Sequence, residues 1–167
     1  MLDLIVRNAR ILGETGTVDL GCLDGRIAER TGRLDGPAHQ EIDAAGHLVS
    51  PPFVDSHFHM DSTLTYGAPR YNESGTLYEG ISLWGEIKPR LTVEDIEQRA
   101  LLLCRWAIAR GSLAIRSHVD IGDPGLTAVH ALLEVRKKVS PWLDLQLVAF
   151  PQDGYFREPK AVELLDR

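Results

Sequence analysis

The sequence predicts an α/β protein in two parts: a small β unit over residues 1–50, then parallel strands alternating with helices over residues 51–167. Three observations carry this. The first fifty residues hold only short apolar segments separated by turn residues. Two later stretches with helical periodicity, Val93 to Ile108 and Leu126 to Val139, are each followed by an apolar run of strand length. Alternation of that kind builds a parallel sheet with crossover helices.

In the β unit, Leu4, Val6 and Ala9–Ile11 form a first segment, broken at Gly13–Gly16. Val18, Leu20 and Cys22 alternate with polar or small neighbours, the pattern of a half-buried strand. Asp24-Gly25 is a hairpin signal, because both turn positions take positive φ. Arg26–Glu29 resumes the strand, a loop runs from Gly32 to Pro37, and Glu41–Asp43 and His47–Val49 close an antiparallel unit.

The second part opens on Leu48-Val49-Ser50-Pro51-Pro52-Phe53-Val54-Asp55-Ser56-His57-Phe58-His59-Met60-Asp61, read as a strand ending in polar residues. Leu64 to Arg90 is rich in Gly, Pro and aromatics and reads as a long loop, with room for a short helix around Leu77 to Trp84. Thr92 is an N-cap with acids behind it, and Gly111 is the matching stop. Leu113–Asp120 reads as a strand, Leu126 to about Pro141 as a helix, and Leu143–Phe150 as a third strand. A further helix is expected from Pro159 to Arg167.

Composition narrows the function classes. With 44% hydrophobic and 25% charged residues, the 167-residue chain is ordinary for a globular protein. Its net charge of −6 offers no basic footprint for nucleic acid or anionic lipid. No apolar run reaches the roughly 18 residues needed to cross a bilayer, and Met1–Arg7 does not read as a signal peptide. The cysteines, Cys22 and Cys104, form no paired framework and are expected as packing residues of a cytoplasmic protein.

The chemistry concentrates at strand ends, where α/β sheets build their sites. Residues i and i+2 of a strand share a face, so His57 and His59 present two imidazoles side by side, half of a metal site. Asp61 continues the spacing if the strand runs that far. His118 ends the next strand and opens onto the same face, either toward ligand or as a satisfied structural histidine, with Asp120 as its expected partner. His39, His47 and His130 lie in settings without such company. Gln152 ends the third strand. Its amide suits the edge of a nucleobase, and a plain turn role before Asp153-Gly154 fits equally. The chain has no Gly-x-Ser-x-Gly elbow, Walker loop or Gly-x-Gly-x-x-Gly, and no His-x-Glu with Pro-Cys-x-x-Cys.

These residues resemble the amidohydrolase superfamily, and within it the bacterial cytosine deaminases. The similarity runs through Pro51–Asp61, Asn72–Ile81, Arg116–Asp120 and Pro141–Gly154, four motifs in order across nearly the whole chain. The resemblance implies a small N-terminal β-sandwich part followed by a metal-dependent (β/α)8 barrel. It implies His57 and His59 as ligands of one divalent metal, iron or zinc, with Gln152 and Leu77 holding the base; His118, Asp120 and Asp61 are expected behind them from their places in the sequence alone. The implied reaction is hydrolysis of the amidine carbon of cytosine, giving uracil and ammonia.

Such a barrel takes about 250 residues and eight strand–helix units, of which this sequence supplies three. The family's remaining ligands and its general acid lie on later strands, so no catalytic residue is expected within this segment. The expectation is therefore the N-terminal portion of a longer enzyme, inactive alone and homo-oligomeric at full length, with a nucleobase substrate and neither nucleic acid nor membrane as partner. Two other readings stay open: an aminohydrolase for another nitrogen heterocycle, and a non-catalytic binding or assembly module.

Overall fold

The structure is a computed structural model that describes residues 1–157 and 160–166. The chain divides into two compact units, Met1–Pro51 and Pro52–Arg167.

The first unit is a four-stranded sheet of β1 (Leu2–Ala9), β2 (Val18–Leu23), β3 (Arg26–Thr31) and β4 (Ala38–Asp43), in the order β3-β2-β1-β4. Asp24 and Gly25 form the β2–β3 turn with φ of 51° and 71°, the positive pair that the Asp-Gly signal predicts. The unit is not wholly antiparallel. The chain leaves β3, crosses to the far side of β1, and lays β4 parallel to it. The described residues of this unit form one mixed sheet rather than the two layers of a sandwich. A bulge at Gly21/Cys22 brings Gly21 so close to Leu2 that a Cβ would sit 2.7 Å from its Cδ1.

Ile5, Ala9, Leu20 and Leu34 form the apolar centre of this unit, and Asp19 is buried beside them. The Asp19 carboxylate accepts from the backbone N–H groups of Leu34 and Asn8, both at 3.0 Å, and from Arg7 Nη1 at 2.9 Å. The Leu34 N–H first, and then Arg7 and Asn8, hold the carboxyl below its usual range against the opposing cost of burial.

The second unit is a parallel sheet of β5 (Phe53–Phe58), β6 (Ser112–Asp120) and β7 (Asp144–Phe150), in that order. Helix α1 (Leu77–Ile87), a single 3-10 turn (Lys88–Arg90) and α2 (Val93–Ala109) connect β5 to β6. Helix α3 (Thr127–Val139) connects β6 to β7, and α4 (Ala161–Leu165) follows. Of the helix expected from Pro159 to Arg167, Pro159 and Arg167 lie outside the described residues.

Helix α2 starts as the sequence signals, with Thr92 Oγ1 accepting from Asp95 N at 3.1 Å, and stops at Gly111, whose φ is +85°. Helix α1 runs a turn beyond the expected Trp84, to the proline-bearing 3-10 turn. The N-terminus of α3 is capped from outside, by Asp123 Oδ2 accepting Thr127 N at 3.0 Å. One face of the sheet packs on α2 and α3. Ile96, Ala100 and Cys104 from α2 meet Ile115, Val119 and Leu145 from the strands and Leu132 and Val135 from α3. Burial pushes the Cys104 thiol up to about 11. Among the described residues, no helix is long and apolar enough to cross a membrane.

Candidate metal centre

The opposite face of that sheet carries the polar strand ends, and a bulge decides what β5 contributes. Asp55 pairs with Ile115 and Phe58 with Ser117, three steps along β5 against two along β6. Val54 and Ser56 line a hollow with Arg116 and Gln146. Strict alternation from them would turn His57 toward the helices. The extra residue instead packs Phe58 on the core and brings His57 to His118. Asp55 Oδ1 accepts the His57 N–H at 3.2 Å within the bulge.

His59 is the first residue beyond β5. The His57 and His59 rings lie 5.4 Å apart between centroids, at 69°. His118 stacks on His57 at 4.1 Å and 25°, and lies 5.9 Å from His59. Phe150, at the end of β7, sets its ring near-perpendicular to His59 at 5.2 Å and to His118 at 5.8 Å. Plain alternation thus foresees the pairing of the two histidines, but the bulge and the strand end produce it.

The carboxylates are arranged differently from expectation. Asp61 does not extend the strand; it lies in the following loop, where Oδ2 accepts Asp120 N at 2.8 Å and Oδ1 accepts Ser62 N at 2.9 Å. Burial is the main cause holding its carboxyl above the usual range. Asp120 is not bonded to His118. Its Oδ2 accepts Trp84 Nε1 at 2.7 Å and Lys88 Nζ at 2.9 Å, while Oδ1 accepts Gly122 N at 2.7 Å. Lys88 also reaches Asp153 Oδ2 at 3.2 Å, so one ammonium joins the ends of β6 and β7. Arg99 donates to the carbonyls of Asp61 and Thr63, and Ser117 Oγ accepts Met60 N at 3.0 Å. Sequence reasoning missed Trp84, Lys88, Arg99 and Ser117. The available signal was a Trp-x-x-x-Lys spacing, which sets both side chains on one helix face.

His59, Asp61, Leu77, Trp84 and Gln152 line one open cleft of about 300 Å³. Leu77 is 76% exposed at its rim. The segment before α1 is pinned by Glu79, which accepts from the Ser74 N–H and hydroxyl and from Arg70 Nη1. Those partners, Ser74 foremost, hold the Glu79 carboxyl down at about 2. A carboxyl depressed in the folded state supports the fold above its free value of 4.5 and loses that support as pH falls toward about 2. Hydrogen exchange at the Ser74 amide is therefore expected to quicken only below pH 4.5, and Glu79→Gln to make it fast and pH-independent beyond the intrinsic chemistry.

Burial, and then the neighbouring His57 and His59, hold the His118 imidazole below the usual histidine range. Its buried Nδ1 has no hydrogen-bond partner. Among the described residues, no hydrogen bond engages the ring nitrogens of His57 or His59, so both rings keep nitrogen donors for a cation. The pair suits a divalent metal in kind. It does not complete a site: no group of three or more His, Cys, Asp or Glu among the described residues is set to hold a metal.

Residues 40–164 match the amidohydrolase family. The chain is 32% identical to N-isopropylammelide isopropyl amidohydrolase of Pseudomonas sp. (strain ADP), over 98% of this chain and 42% of that protein. Its fold superposes on 5-methylcytosine deaminase from Klebsiella pneumoniae, solved with 5-fluorocytosine, with a TM-score of 0.89 and 41% identity, over 96% of this chain and 39% of the other. It also superposes on N-isopropylammelide isopropylaminohydrolase from Burkholderia multivorans, with a TM-score of 0.80 and 30% identity, over 99% and 42% of the two chains. The chain thus spans about two fifths of the length of these relatives.

Proposed function

The chain belongs to the amidohydrolase family, and from that premise we propose that it is the metal-binding opening section of an enzyme that deaminates cytosine or a close cytosine analogue. In this reading residues 51–167 are the first three strand–helix units of a (β/α)8 barrel. His57 and His59 hold one divalent ion, and the remaining ligands and the general acid come from further strands. The observation that carries the reading is convergence: His59 from the end of β5, Leu77 from α1 and Gln152 from the end of β7 line one cleft. The likeness to a cytosine-type deaminase at 41% identity supports the choice of ring.

A divalent ion held there, iron or zinc, supplies the Lewis acidity that makes water a nucleophile near neutral pH. The chain's own residues do the rest of the binding. The Gln152 amide offers one donor and one acceptor to the heterocycle edge. Leu77 and Trp84 give apolar surface to a flat ring. Asp61 and Asp120 shape the cleft by holding the loops after β5 and β6 together. In the overall reaction water adds at the amine-bearing ring carbon and ammonia leaves, so cytosine plus water becomes uracil plus ammonia.

A second reading keeps the site and changes the ring. The 32% identity over nearly the whole chain to an N-isopropylammelide hydrolase favours an alkylamino-substituted heterocycle. Both readings predict that the 167-residue chain alone turns over no substrate, because two imidazoles do not complete a metal site.

The test is amine release by the whole metal-loaded protein from cytosine, 5-methylcytosine and N-isopropylammelide. Ammonia from a cytosine supports the first reading, isopropylamine from N-isopropylammelide the second, and no release from any of them refutes both. Gln152→Ala is expected to raise KM about 5- to 10-fold, roughly one hydrogen bond's worth at about 1–1.5 kcal/mol.

A further inference from the structure

We propose that His118 and Phe150 are positioning residues for the His57–His59 pair: their rings form an aromatic brace that holds both imidazoles in a cation-ready orientation. The inference rests on the reading of His57 and His59 as metal ligands and adds to it how they are aimed. It starts from how the two rings are held within this section of the chain. A metal-binding histidine ordinarily donates its second ring N–H to a carboxylate or a carbonyl, which fixes the ring. Among the described residues no such bond reaches the His57 or His59 ring. The carboxylates that stand close by are spent elsewhere: Asp61 on the Asp120 and Ser62 N–H groups, Asp120 on Trp84, Lys88 and Gly122, and Asp55 on the His57 backbone.

Among the described residues, what reaches both rings is ring packing. His118 lies face to face with His57 at 4.1 Å and 25°, which restricts rotation of the His57 ring. Phe150 stands edge-on to His59 at 5.2 Å and 70°, and edge-on to His118 at 5.8 Å and 82°. The two edge-on Phe150 contacts are favoured aromatic geometries. The braces come from different strands, held in register by the pairing of His118 with Val148 and of Asp120 with Phe150. The β5 bulge, by turning His57 to this face, lets it meet them. The contribution proposed for His118 is the flat surface that stacks on His57; its buried Nδ1 has no hydrogen-bond partner, and the Phe58 backbone is the polar neighbour of its ring.

The test is the affinity of the whole protein for Zn²⁺, by competition with a chromophoric chelator, beside the visible spectrum of its Co²⁺ form. His118→Ala and Phe150→Leu are expected to weaken Zn²⁺ about 10- to 100-fold, the usual effect of losing an outer partner, and to broaden the Co²⁺ bands. His118→Phe, which keeps a flat ring and no nitrogen, is expected to stay within about threefold of wild type, since outer partners act by orientation. Equal losses in His118→Phe and His118→Ala would overturn the brace and give the role to a ring nitrogen. Wild-type affinity in both His118→Ala and Phe150→Leu would overturn it as well. Melting curves separate misfolding from loss of aim, and where His118→Ala does not fold, Phe150→Leu and His118→Phe decide. His57→Ala separates the two layers. If it binds Zn²⁺ normally, the ligand assignment fails; if it loses Zn²⁺ while the brace variants do not, only the brace fails.

Discussion

If His57 is a metal ligand, as proposed, replacing it with alanine is expected to abolish metal binding and turnover in the whole protein, while the metal-free forms of variant and wild type melt at nearly the same temperature. The imidazole is one of two at the end of β5 proposed as metal donors, and its ring nitrogens make no hydrogen bond among the described residues. Removing a direct ligand costs more than the roughly 10- to 100-fold that loss of an outer partner costs, so metal content after dialysis should fall to background. With the metal removed from both proteins, fold stability should barely move, because His57 is exposed and surface substitutions typically change stability by about 0.5 kcal/mol or less. Metal analysis and a thermal melt on one preparation check both halves. Normal metal content would remove His57 from the site.

The second large effect is structural and lies in the other unit. Asp19→Ala is expected to destabilise the Met1–Pro51 unit by about 3 kcal/mol, the low end for breaking a buried ion pair. The side chain is 6% exposed, and its carboxylate is the acceptor for two backbone N–H groups and for Arg7. The effect stays at the low end because Arg7 keeps Glu41 and the Leu34 carbonyl as partners. Asp19→Asn should cost less, since it preserves shape and one acceptor. The carboxyl is depressed in the folded state, so its contribution is present above about pH 3.8 and is lost on further acidification. Hydrogen exchange across β1 and β2 reads the loss. Unchanged protection of Asn8 and Leu34 in Asp19→Ala would contradict it.

Much of this was legible in the sequence where the signal is local. Asp24-Gly25 states its own turn, Thr92 and Gly111 bound α2, and the apolar runs at Leu113 and Leu143 become β6 and β7. What was not legible depends on partners distant in sequence. The parallel placement of β4 is set by where the chain crosses after β3, which no local pattern records. The bulge that aims His57 exists only against β6, although the polar run Asp55-Ser56-His57 inside an expected strand was a hint. The partner of Asp120 was sought in His118, two residues away, and is found in Trp84 and Lys88, 36 and 32 residues away on another element. Nearness in sequence suggested a shared face and correctly grouped His57, His59 and His118, but hydrogen-bond partners are chosen in space.

Metal-edge X-ray absorption of the whole metal-loaded protein reads the ligands of the ion. With His57 and His59 as ligands, zinc should show a first shell of nitrogen and oxygen at about 2.0–2.2 Å, with outer scattering from at least two imidazoles. In the His57→Ala/His59→Ala double variant that outer scattering should vanish together with the bound metal. A native spectrum without imidazole scattering, or one unchanged in the double variant, would contradict the claim that the end of β5 holds the metal.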